Sequence, residues 1–98
     1  MNLSINKNLY LNIIKSHSII TSNSISLRYC CSNDRKIGFI LPKSLGASHL
    51  RNLFKRRCRS AFINNKNINK NVAVLVKPKT LDVKYEDIDK IFSELYSD

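Results

Sequence analysis

The chain is 98 residues long, 43% hydrophobic, and carries a formal net charge of +10. That length fits one small domain over residues 1–98, and no apolar run approaches the ~20 residues of a membrane-spanning helix. Residues 1–81 hold 15 Lys and Arg against Asp34 alone, while residues 82–98 hold Lys84 and Lys90 against six acids; so basic a body favours a polyanionic partner, nucleic acid ahead of a membrane surface.

Residues 6–16 pattern as a short helix with Leu9, Tyr10, Ile13 and Ile14 on one side. The first 33 residues lack acids and are rich in Ser and Asn, a composition shared with transit peptides. They also pattern as folded structure, which is the reading adopted. Residues 18–31 fit two short strands. In the second, Ile25, Leu27, Tyr29 and Cys31 alternate with Ser24, Ser26, Arg28 and Cys30. A turn at Ser32, Asn33 and Asp34 leads to a third strand over residues 36–41. Pro42 ends that strand, and Gly46 marks the following loop.

Residues 50–63 fit one helix and are the most informative stretch. A rotation of about 100° per residue puts Leu50, Leu53, Phe54, Cys58, Ala61 and Phe62 on one side. Arg51, Lys55 and Arg59 recur every four residues along the flank, with Asn52 and Arg56 beside them. Charged helix faces are ordinarily just solvated. Here the charge has one sign, and no acid between Asp34 and Asp82 relieves the repulsion by i,i+4 pairing. A one-signed ridge in which Arg dominates suits bidentate contact with phosphate.

Residues 64–70 form a polar connector. Residues 72–76 are an unbroken apolar run, the pattern of a strand covered on both faces, and Pro78 closes it. A last helix carries Tyr85, Ile88, Ile91, Phe92, Leu95 and Tyr96 on its apolar side, with Glu86 and Asp87 in its first turn, where they complement the helix dipole. The order is αβββαβα, an α+β sheet with packed helices.

Cys30, Cys31 and Cys58 are odd in number and lack zinc-site spacing, so reduced thiols of a cytoplasmic protein are the simplest reading, with Cys58 filling the core. His17 and His49 are isolated. The acids of residues 82–98 read as a solvated helix face, and Gly38 and Gly46 are the only glycines, too few for a phosphate loop. No catalytic and no metal-ligating residue is assigned.

The block Lys43-x-x-Gly46-x-x-x-x-Arg51-Asn52-x-x-Lys55-Arg56-x-x-Arg59-x-x-Phe62, in an αβββαβα order, resembles the protein component of bacterial ribonuclease P. The spacing is unbroken from Gly38 through Phe62. The resemblance implies a ribosomal-protein-like mixed sheet with a left-handed βαβ crossover. It implies a monomeric subunit within a ribonucleoprotein endoribonuclease. Its partners would be the catalytic RNA, which holds most of the Mg²⁺, and precursor tRNA, whose 5′ leader lies in a cleft between the first helix and the sheet. Lys43, Arg51, Asn52, Lys55, Arg56 and Arg59 match the family's RNA-facing set.

Two departures matter. In the cleft, Tyr10 falls at a family aromatic, Ile14 replaces a second, and the strand-two aromatic aligns with Arg28. Tyr29 is one residue off and on the opposite face by alternation. Either the register shifts by one, or the leader is gripped by charge more than by stacking. In the helix, Leu53 stands where the family has Arg, and Arg57 where it has an aliphatic residue, so Arg57 reaches toward the site of the missing guanidinium or merely snorkels from the edge of the core. Two other functions compete with this one. One is a ribosomal or other structural RNA-binding protein without a role in cleavage. The other is a DNA-binding module, for which no companion helix has helix-turn-helix spacing.

Overall fold

The computed structural model describes residues 4–16, 18–22, 24–32, 34–64 and 71–95. Helix α1, Lys7–Lys15, starts where the Asn6 side-chain oxygen accepts a hydrogen bond from the Leu9 amide at 2.8 Å, a Ncap interaction that satisfies a free helix-end donor. Strands β1 (Ile19–Thr21) and β2 (Ile25–Cys31) pair antiparallel, with Ile19 opposite Arg28. Strand β3 is Lys36–Phe39, two residues shorter than the pattern predicts, although the Ile40 amide still donates to the Val76 carbonyl at 2.9 Å. A single 3₁₀ turn, Lys43–Leu45, precedes helix α2, Ser48–Asn64. Strand β4 (Val72–Pro78) and helix α3 (Tyr85–Leu95) complete the fold. Asn33 of the predicted turn, residues 65–70 of the connector, His17 and Tyr96 lie outside the described residues.

The sheet order is β1-β2-β4-β3. β4 runs antiparallel to β2 and parallel to β3, so α2 connects two neighbouring parallel strands. The central strand explains its own sequence. Its side chains alternate: Val72, Val74 and Val76 enter the large core under α2 and α3, and Ala73 and Leu75 enter a small core under α1. An apolar residue is therefore required at every position from 72 to 76.

In the large core, Phe54, Cys58, Ala61 and Phe62 of α2 meet Ile88, Ile91, Phe92 and Leu95 of α3, and the rings of Phe62 and Phe92 lie 6.0 Å apart. Aromatic pairs at this separation stabilise by about 0.5–1.5 kcal/mol beyond their buried area. In the small core, Ile13 of α1 packs on Ala73 and Leu75, with Ile5, Leu9, Cys30 and Ile40 around it. A Cβ on Gly38 would stand 2.8 Å from Ile5 Cδ1, so glycine here lets the segment before α1 lie against β3.

Three expected core positions are corrected. Leu50 and Leu53 are 44% and 36% exposed, because the elements that cover α2 reach only as far back as Phe54. Tyr85 is exposed as well. Lys84 caps α3 through its carbonyl, and Val83 and Ile88 flank the first turn inside the core. This is the arrangement of a hydrophobic staple, which leaves Tyr85 outside.

Candidate nucleic-acid interface

Helix α2 turns its apolar stripe inward and leaves Asn52, Arg56, Arg57 and Arg59 exposed; Lys43, on the 3₁₀ turn before it, is exposed too. Arg51 and Lys55 are half-buried rather than fully displayed. Arg51 leans back over the first turn, donating from Nη2 to Ser48 Oγ at 3.0 Å, and its Nε is buried without a hydrogen-bond partner. Its terminal nitrogens remain the part that an incoming phosphate can meet.

Arg59 is held differently. Its guanidinium carbon lies 5.5 Å from the centre of the Phe39 ring, within cation–π range. Phe39 is itself set edge-on against Phe54, with ring centroids 6.3 Å apart. Arg59 also lines a depression of about 410 Å³ with Tyr10, Lys7, Gly38 and Phe39. The basic helix and the α1 side of the sheet therefore meet at Arg59. Sequence periodicity places Arg59 on the ridge but gives no sign of this junction.

On the α1 side, a second depression of about 370 Å³ is lined by Ile14, Ser26, Arg28, Ile40, Leu75 and Lys77. Tyr10 and Ile14 are 38% and 40% exposed on α1, overlooking these hollows. The Arg28 Nη1 donates to the Ile14 carbonyl at 3.1 Å, which ties the strand-two guanidinium to the end of α1. The β2–β4 register puts Arg28 opposite Leu75 and Ser26 opposite Lys77. Tyr29 lies opposite Val74 and packs against the large core. Arg28 therefore lies on the α1 side of the sheet, and Tyr29 is removed from the cleft set because its ring points to the other face. Lys77 joins the cleft. Period-2 alternation from Ala73 and Leu75 could have found it, had β4 been read beyond its apolar run.

Arg57 and Leu53 line one further hollow, together with the loop after β4. Of the isolated histidines, His49 is exposed. Cys58 is fully buried, and burial pushes its thiol up to about 12. Among the described residues, no group of three or more His, Cys, Asp or Glu converges as metal ligands, and no helix is long and apolar enough to cross a membrane.

The profile of the Ribonuclease P family matches residues 5–98. The RNase P protein of Thermotoga maritima superposes with a TM-score of 0.76 at 18% identity, over 95% of this chain and 94% of that chain. The Staphylococcus aureus RNase P protein superposes with a TM-score of 0.75 at 21% identity, over 96% and 92%. A search of curated proteins found no match. At these identities the superpositions establish the shared fold, and the family profile establishes the kinship. The expected mixed α+β architecture in the order αβββαβα is the one observed. The chain belongs to the ribonuclease P protein family and is the protein subunit of an RNA-processing ribonucleoprotein enzyme.

Proposed function

We propose that the outer face of α2 docks on the RNA of the enzyme while the α1 side of the sheet holds the 5′ leader of precursor tRNA. In this reading Lys43, Arg51, Asn52, Lys55, Arg56, Arg57 and Arg59 meet RNA phosphates, and Tyr10, Ile14, Arg28 and Lys77 meet the leader. The observation that carries it is the junction at Arg59, which belongs to the ridge and also lines the α1 hollow. One substrate strand can leave the RNA surface and enter the cleft without crossing a gap in positive charge.

The leader grip is then electrostatic. Arg28 and Lys77 replace one of the aromatic platforms, and Tyr10 keeps the aromatic position on α1. Phosphate contact is largely indifferent to base identity, whereas stacking stabilises by about 1–3 kcal/mol per base.

Mg²⁺ and the catalytic groups are assigned to the RNA partner, as the resemblance to the family implies. The protein's part is to neutralise phosphate charge and position the substrate. The subunit is read as a monomer within the ribonucleoprotein, and the free thiols Cys30, Cys31 and Cys58 fit a cytoplasmic setting.

The test is reconstitution with a ribonuclease P RNA and measurement of precursor tRNA cleavage at limiting Mg²⁺. The wild-type chain should accelerate cleavage, and Arg51→Ala and Arg56→Ala should each lose most of that effect, recovering it as Mg²⁺ is raised. Wild-type acceleration that survives both substitutions would show that the ridge is not the RNA face. Arg57→Leu separates the two readings of Arg57. Weaker RNA binding at unchanged stability supports a phosphate contact, and unchanged affinity supports simple snorkelling.

A further inference from the structure

The two exposed leucines on the basic helix are not idle surface. Leu50 and Leu53 face Leu45 of the 3₁₀ turn and Leu81 of the loop after β4 across a hollow of about 350 Å³, at the small end of the ~300–1,000 Å³ usual for small-ligand sites. Its walls are chemically distinct. Arg57 stands on the α2 side and Asp82 on the loop side. Gly46 makes the floor possible: a Cβ there would sit 3.0 Å from Leu81 Cδ1 and 3.8 Å from Leu50 Cδ1. The Asp82 amide donates to Thr80 Oγ1 at 3.2 Å, which pins the loop that carries the carboxylate.

The hollow thus sets one carboxylate beside the positive face of α2. We propose that this hollow binds one unstacked guanine base of a single-stranded RNA segment that passes along α2. The leucines supply an apolar platform for the base, and the Arg57 guanidinium supplies a plane to stack on. Asp82 supplies two acceptor oxygens and no donor when ionised. On the Watson–Crick edge, guanine alone offers two adjacent donors, N1–H and the 2-amino group. Adenine and cytosine each set a ring-nitrogen acceptor beside their amino group, and uracil flanks its single N–H with carbonyls. The lone carboxylate thus selects guanine and repels a backbone phosphate in the same place.

The proposal rests on α2 being the RNA face, and the experiment keeps the two apart. The full-length chain is titrated by fluorescence anisotropy into hexauridylate carrying one central guanosine, adenosine or inosine, with circular dichroism confirming that each variant is folded. The guanosine oligonucleotide should bind at least about tenfold more tightly than the adenosine one. Inosine, which lacks the 2-amino group, should fall between them. Asp82→Asn should remove the preference, and Leu53→Ser should reduce it. Arg56→Ala should weaken all three oligonucleotides alike and leave their ratio unchanged.

Equal affinity for the three bases, or a preference that persists in Asp82→Asn, overturns the pocket while a uniform Arg56→Ala effect still supports the ridge. A guanosine preference with no Arg56→Ala effect sustains the pocket and overturns the ridge. A Leu53-dependent dimer in sedimentation would show that the hollow is covered by a second copy instead, and would also overturn the proposal.

Discussion

Arg28 and Tyr29 are neighbours in sequence and lie on opposite faces of β2, so replacing each with alanine separates leader binding from folding. Arg28 is half-buried, and its guanidinium donates to the Ile14 carbonyl at 3.1 Å in an exposed setting. Losing that bond should cost about 1 kcal/mol of stability or less. If Arg28 contacts a leader phosphate, Arg28→Ala should also lose a charge-assisted bond of about 1.5–3 kcal/mol, roughly a 10- to 150-fold drop in leader affinity. One fewer phosphate contact should flatten the plot of log affinity against log salt by about 0.7 for a single strand.

Tyr29→Ala should behave in the opposite way. Its ring packs against the large core, so truncation should destabilise the fold by about 2–4 kcal/mol while the folded fraction binds leader as before. The assay is anisotropy of a labelled precursor tRNA against mature tRNA, run with the reconstituted ribonucleoprotein across a salt series, with urea unfolding of the free protein alongside. A loss of leader affinity in folded Tyr29→Ala, with Arg28→Ala unchanged in both affinity and slope, would refute the electrostatic cleft.

Two predictions concern the scaffold. Gly46 has φ 157° and ψ −177°, a region open essentially to glycine alone, so Gly46→Ala should destabilise by about 1–3 kcal/mol in urea unfolding; an unchanged midpoint would show that the loop relaxes freely. Cys58 binds its proton more tightly in the folded protein, with its thiol raised from 9.0 to about 12 by burial. Its contribution is therefore complete below pH 9 and is lost as pH rises from 9 toward 12. Near pH 10.5 the wild type should have lost about 2 kcal/mol more stability than Cys58→Ala has, and parallel pH profiles for the two proteins would contradict the assignment.

Much of this site is legible in the sequence because it follows from periodicity. The α2 stripe, the doubly covered β4 run and the opposite orientations of Arg28 and Tyr29 all come from spacing of 3.6 or 2 residues. What the spacing cannot show is where a covering surface ends. Leu50 and Leu53 continue the stripe of Phe54 and Phe62, yet they lie beyond the sheet and α3. Arg51 and Arg59 look equivalent at four-residue intervals, but one bends onto Ser48 and the other rests on Phe39. Lys77 enters the cleft only through its register with Ser26. Each of these depends on residues distant in the chain.

The most direct measurement is equilibrium binding of the purified chain to a ribonuclease P RNA at physiological ionic strength, repeated across a salt series for the wild type and for a variant carrying Arg56→Ala and Arg59→Ala. The wild type should bind tightly with a steep salt dependence, and the variant should show a slope shallower by nearly 2 if both contacts are to duplex phosphates. A wild-type chain that does not bind, or a variant with unchanged affinity and slope, would contradict it.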